Sequence, residues 1–259
     1  MKHIETNVLE RQWVMKSREL NKPEHVQYFT HVPLSVDIGN GTRDISPLAP
    51  FVVSGGKNTE RYYFKHINRL SDKYKFNVRP EYFGDESAYT EVFPMRIENI
   101  LSKNVDAKIF CVFDMDTIVK DGQQDKHKAF VDSLSEKISG GQVVLCESMP
   151  SFEFWLLLHF VDYPALLKNY SEVSSVLAPH IKPYFTNSNI RLAKLLKSEK
   201  YVQDVAWVKR LLDEGRLEQA VERAKVCLER EMKDQGKHSY TKVFKAFEGV
   251  GVINMTEHI

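Results

Sequence analysis

The sequence predicts an α/β fold: a mostly parallel sheet of about four strands, Rossmann-like in kind, flanked by helices and followed by a helical C-terminal part. Three observations predict it. Apolar strand candidates at 50–54, 76–82, 108–113 and 142–146 alternate with helical patterns at about 59–71, 88–103 and 125–138, and that alternation demands right-handed crossovers with helices on both faces of the sheet. The run Lys108-Ile-Phe-Cys-Val-Phe113 is apolar without alternating, as strands covered on both faces are. From Phe152 onward the pattern is nearly all helical.

Taken in order, residues 1–49 read as an N-terminal extension: a charged helical start, then Pro33, Asp37-Ile-Gly-Asn-Gly41 and Ser46-Pro-Leu-Ala-Pro50, which are turn and extended-chain signals. Residues 50–160 form the α/β core, and 161–259 a helical region packing on it. The helical pieces fall at 152–160, after Pro164, and at 187–200, 202–212, 217–233 and 241–247.

At 259 residues the chain is long enough to bury a core without staples. Its 36 basic and 35 acidic residues leave a formal charge of +1, so composition offers no polycationic footprint for nucleic acid, although a local patch would suffice. Cys111, Cys146 and Cys227 are odd in number and widely spaced, which points to buried reduced thiols rather than disulfides or a zinc site. No leader pattern opens the sequence and no apolar stretch approaches about 18 residues, so a cytoplasmic protein without membrane contact is expected.

Three stretches carry chemistry. Asp114 and Asp116 end the apolar run, and strands of an open α/β sheet present their carboxyl ends to ligands. Two carboxylates at i, i+2 suit one Mg²⁺, a hard cation that uses one or two carboxylates plus substrate phosphates. After the first strand, Gly55-Gly56-Lys57-Asn58-Thr59-Glu60-Arg61 offers a tight turn and a helix N-terminus for phosphate. The plain alternative is a strand-to-helix turn with Thr59 as N-cap. The segment lacks the Gly-Lys-Ser/Thr of a Walker A loop. Glu60 falls at the same sheet edge as the aspartates if the two strands are neighbours. In the third stretch, Pro150 and Ser151 start a helix whose first turn holds Glu153, either as a cap or as an outer metal candidate. His159, on the apolar helix of Phe152, Trp155, Leu156 and Phe160, reads as a satisfied core histidine.

Together these stretches resemble the RloB-like proteins, whose domain is of the Toprim kind. The family pattern runs through an apolar strand, Glu-Gly-x-x-Thr-Glu-x-x-Tyr-Phe, a strand ending in Asp-x-Asp, and Ser-Asn-Pro-x-Phe-Glu-x-Trp-Leu-Leu-Leu-His-Phe. This chain carries Gly55-Gly56-Lys57-Asn58-Thr59-Glu60-Arg61-Tyr62-Tyr63-Phe64, then Asp114-Met115-Asp116, then Ser148-Met-Pro-Ser-Phe-Glu-Phe-Trp-Leu-Leu-Leu-His-Phe160. A weaker echo of the family's C-terminal segment lies at Lys237–Phe244. One departure stands out: Gly55 occupies the place of the first-strand glutamate credited with acid/base or metal work, and glycine supplies neither.

The resemblance implies a Toprim-like sheet and a Mg²⁺- or Mn²⁺-dependent nuclease of a prokaryotic anti-phage or abortive-infection system, acting on DNA or RNA beside an ATPase partner. It assigns Glu60, Asp114 and Asp116 to catalysis and metal, Glu153 to an outer metal position, and Gly55, Gly56, Lys57 and Arg61 to phosphate. The loss at Gly55 keeps a second expectation open, a catalytically inactive Toprim-fold binding subunit of such a complex. A haloacid-dehalogenase-like phosphatase, suggested by Phe113-Asp-Met-Asp-Thr-Ile118, is opposed by Ile118 where threonine belongs, by the motif's place on a later strand, and by the lack of a paired acidic motif downstream.

Overall fold

The computed structural model describes residues 49–80, 89–116, 118 and 122–248. The extension expected over 1–49 lies outside these residues apart from Ala49, as do the last two residues, 81 and 82, of the expected second strand. The elements below belong to one compact unit, Ile45–Arg79 with Ala88–Ile259.

Five strands form one sheet in the order β2-β1-β3-β4-β5. They are β1 Phe51–Ser54, β2 Asn77–Arg79, β3 Ile109–Asp114, β4 Val143–Met149 and β5 Tyr240–Thr241. The first four run parallel, with Val53 opposite Cys111 and Asp114 opposite Ser148. Parallel neighbours need crossovers, and these are α1 Thr59–Leu70, α2 Tyr89–Leu101, and the pair α3 Gln124–Ser133 and α4 Ser135–Ser139. The single helix expected over 125–138 breaks at Leu134, a buried residue at the junction.

A short fifth strand completes the expected sheet of about four. Thr241, read as the start of a helix, instead pairs antiparallel with Ser148 at the sheet edge, as Tyr240 does with Met149. The Ser148 and Thr241 hydroxyls bond to each other at 2.7 Å, and both residues are fully buried.

Apolar residues line both sheet faces, which is why β3 does not alternate. Val52, Phe110 and Val112 join the larger core with α1 and the helical region: α5 Phe152–Leu158, α6 Tyr170–Ile181, α7 Leu192–Lys197, α8 Glu199–Val202, α9 Ala206–Asp213, α10 Arg216–Lys233 and α11 Phe244–Glu248. Phe51, Val53, Ile109, Cys111 and Phe113 pack on the opposite side with Phe93, Ile97 and Phe130 from α2 and α3. Burying aromatic and branched side chains of this size is worth about 1.5–3 kcal/mol each, so the two-sided sheet is the main source of stability.

Helix α5 is buried along its whole length, as its excess of apolar residues predicts; Trp155, Leu156 and Leu158 are completely enclosed and Phe160, just past its end, is half-buried. His159 is also enclosed. Its Nδ1 lies 3.0 Å from the Trp155 carbonyl and its Nε2 3.0 Å from the Tyr63 hydroxyl. A carbonyl can only accept, so Nδ1 carries the proton and Tyr63 donates to Nε2. Burial pushes the imidazole down to about 3, which keeps it neutral and structural. All three cysteines are buried free thiols. No helix among the described residues is long and apolar enough to cross a membrane.

Candidate acidic site

Three chain segments meet at the carboxyl end of β3. Pairing of β1 with β3 brings the β1–α1 turn beside Asp114, as crossover rules require. The β4–α5 turn closes in from the other side. The Met115 N–H donates to the Ser148 and Pro150 carbonyls at 3.0 and 3.1 Å, the Asp116 N–H donates to Pro150 at 3.0 Å, and the Phe152 N–H donates to Asp114 Oδ1 at 2.8 Å. Asp114 therefore satisfies the first N–H of α5, a capping role that sequence reading did not assign to it.

Glu60 and Glu153 arrive in the same way. Each is the second residue of a helix, α1 and α5, so both sit in first turns where the helix dipole favours a carboxylate. Each carboxylate also turns back to its own backbone N–H. Glu153 Oε2 accepts the Ser151 hydroxyl at 2.7 Å, so Ser151 positions the glutamate instead of capping the helix with its side chain.

The carboxylates repel one another in a poorly solvated place. Burial first, and then the charge of Glu153, push Glu60 up to about 7. Asp114 is raised well above the usual range, first by burial and then by Glu60 and Glu153, with Asp116 adding to the same effect. Glu153 is raised by burial, against the Ser151 bond and with Asp116 opposing ionisation. The structure thus brings all four predicted acidic residues into one electrostatic group, with Glu153 inside it rather than at its margin.

A divalent cation fits this donor set in kind: hard carboxylate oxygens, crowded and mutually repelling, are what Mg²⁺ or Mn²⁺ relieves. The side chains alone do not close a coordination shell, for among the described residues no group of three or more His, Cys, Asp or Glu is arranged to hold a metal ion. Mg²⁺ sites commonly complete their shell with water and phosphate oxygens.

At the β1–α1 turn, Gly56 has a steric reason. A Cβ there would fall 1.8 Å from Glu60 Oε2 and 2.1 Å from Oε1, so only glycine lets the Glu60 carboxylate rest against the turn. The Gly55 N–H donates to Val112 at 2.8 Å, and a Cβ on Gly55 would lie 3.3 Å from that carbonyl, a tight but smaller intrusion. Lys57 is exposed in the turn, whereas Arg61 is buried with its guanidinium 5.5 Å from the Tyr62 ring centroid. Thr59 is not the cap. It is the first helical residue and its hydroxyl donates to the Leu196 carbonyl at 2.9 Å, while the Asn58 side chain donates to Lys197 at 2.7 Å.

Those two bonds reveal what sequence reading missed. Lys197, at the end of α7, is the cation whose field lowers both Glu60 and Glu153, and its ammonium also lies 4.2 Å from the Tyr170 ring centroid. Nothing local marks it, since it stands among several lysines of a helical tail. Ser151 was legible only as a helix start.

An open, mostly parallel sheet flanked by helices, with carboxylates gathered at the carboxyl end of its central strand, defines a Rossmann-like α/β protein. Residues 51–249 match the family described as RloB-like protein, and the chain belongs to that family. No curated protein matches it. No solved structure matches it either.

Proposed function

We propose that this chain is a Toprim-type, divalent-cation-dependent nuclease serving prokaryotic anti-phage defence in the cytoplasm alongside an ATPase. The observation that carries the reading is the convergence of Glu60, Asp114, Asp116 and Glu153 from a strand end and two helix N-termini. Family membership adds the defence setting only as an expectation.

In this reading carboxylates of this group, completed by water and by oxygens of the scissile phosphate, would hold Mg²⁺ or Mn²⁺. Bound there, a divalent cation offers Lewis-acid stabilisation of phosphoryl charge and an acidified water. Lys197 offsets the negative charge that the carboxylates and the phosphate share, with Lys57 and Arg61 on the turn side. Without metal Glu60 is pushed up to about 7; with a cation bound it would be ionised, and its carboxylate would be able to take a proton where Gly55 has no side chain to do so.

A second reading, a binding subunit without turnover, is favoured by glycine at position 55 and by the unclosed donor set. The two separate in one experiment: Mn²⁺ binding by calorimetry and cleavage of plasmid and tRNA, for the wild type, Asp114→Ala and Gly55→Glu. We expect weak wild-type cleavage, lost in Asp114→Ala and raised by Gly55→Glu. Proton-transfer assistance is worth about 10²- to 10⁴-fold, so the gain is visible even if the tight fit beside Val112 discounts it. Metal bound by all but Asp114→Ala, with no cleavage from any, establishes the binding subunit instead.

A further inference from the structure

The near-neutral chain concentrates positive charge in one place. Segment 57–69 carries Lys57, Arg61, Lys65 and Arg69 against a single acid, Glu60; segment 191–200 carries Arg191, Lys194, Lys197 and Lys200 against a single acid, Glu199. The fold docks these two segments on each other. Asn58 and Thr59 bond to Lys197 and Leu196, the Tyr62 hydroxyl bonds to Glu199, and His66 Nε2 lies 2.7 Å from the Val202 carbonyl. Positions 58, 59, 62 and 66 thus face α7 and α8. Arg61 and Lys65 flank the seam, both over the Tyr62 ring at 5.5 and 5.9 Å.

Glu60 belongs to the acidic site, and Glu199 is engaged by Tyr62. Several basic side chains elsewhere are matched: Lys126 with Glu91, Lys137 with Glu98, Lys209 with Asp213, Arg230 with Asp162 and Lys237 with Asp234. Along the seam, by contrast, Arg69, Arg191, Lys194, Lys197 and Lys200 are all exposed and form no ion pair among the described residues. Exposed cations without an ion pair, gathered on two docked segments, fit a partner that carries its negative charge at regular intervals.

We infer that the seam between α1 and α7–α8 is a track for the phosphodiester backbone of a nucleic acid, DNA or RNA, leading to the acidic site. It rests on the nuclease reading only for where the scissile phosphate lies. The C-terminal helical region then supplies half of the track, and recognition through it is electrostatic and indifferent to sequence.

The test is equilibrium binding in EDTA, by fluorescence anisotropy, of a labelled DNA duplex and an RNA hairpin, each in two sequences, between 50 and 200 mM salt. Each phosphate neutralised on duplex DNA contributes about 0.9 to the slope of log K against log salt, so Lys194→Ala/Lys200→Ala should lower that slope by about 2. The loss should be the same for both sequences, while the paired control Lys209→Ala/Lys237→Ala keeps the wild-type slope. The preferred labelled ligand distinguishes DNA from RNA. An unchanged slope in the seam variant, or equal losses in seam and control variants, overturns the track. Salt-steep binding with no cleavage in Mn²⁺ leaves the track standing and removes the nuclease; Mn²⁺-dependent cleavage with an unchanged slope does the reverse.

Discussion

The two faces of the sheet each bury a carboxylate near the carboxyl edge, and they treat it differently. On the α2–α3 side Glu147, only 8% exposed, is met by the Lys242 ammonium, and the Lys242 N–H donates to its carbonyl at 2.9 Å. On the α1–α5 side Glu60, Asp114 and Glu153 face one another, and Lys197 acts on the two glutamates only through its field. A carboxylate that serves the fold comes with its own cation. A group of carboxylates without a paired cation raises its own repulsion, at a cost to stability.

That contrast predicts effects of opposite sign. Lys242→Ala should lose about 3–5 kcal/mol in urea unfolding, because it leaves Glu147 buried and unpaired. Asp114→Asn, which removes repulsion, should raise stability in EDTA despite weakening the contact to Phe152. Equal losses in the two variants would erase the distinction between the faces.

A smaller effect follows from pH. Glu60 takes up its proton in the folded state at about 7 but near 4.5 when unfolded, so between these values the folded state binds more protons. Stability in EDTA is then full below about pH 4.5 and falls as pH rises through about 7, by at most roughly 3 kcal/mol. Glu60→Gln should flatten this decline, and Mn²⁺ should shrink it by stabilising the ionised form. A decline that persists unchanged in Glu60→Gln would assign it to other groups.

The smallest change in stability is expected from Gly56→Ala, since the colliding group is the end of a flexible side chain. The fold should survive with a loss of about 1–3 kcal/mol, yet Glu60 must leave its place, so Mn²⁺ affinity should fall more than stability does.

Sequence made the acidic group legible because strand-end position, glycine pairs and helix starts are local signals. Asp114 closes an unalternating apolar run, and the excess apolar surface of α5 announces a buried helix. What stayed hidden depends on distant chain. Thr59 has the composition of a cap, but the Leu196 carbonyl claims its hydroxyl. Tyr240–Thr241 is a two-residue strand too short for any periodicity, fixed by pairing with Met149 and Ser148. Lys197 has no motif at all, because its position is set by α7 docking on α1.

The bonds from Asn58 and Thr59 to the end of α7 also put the site on a clock. Glu60, Asp114 and Glu153 are all translated before Lys197, and the Thr59–Leu196 pair spans 137 residues. At synthesis rates of about 5–20 residues per second, the emerging chain carries the start of α1 for on the order of ten seconds before its anchor exists. An acidic site assembled this way stays incomplete on the ribosome, and its carboxylates and Lys197 come together only after most of the chain has been made.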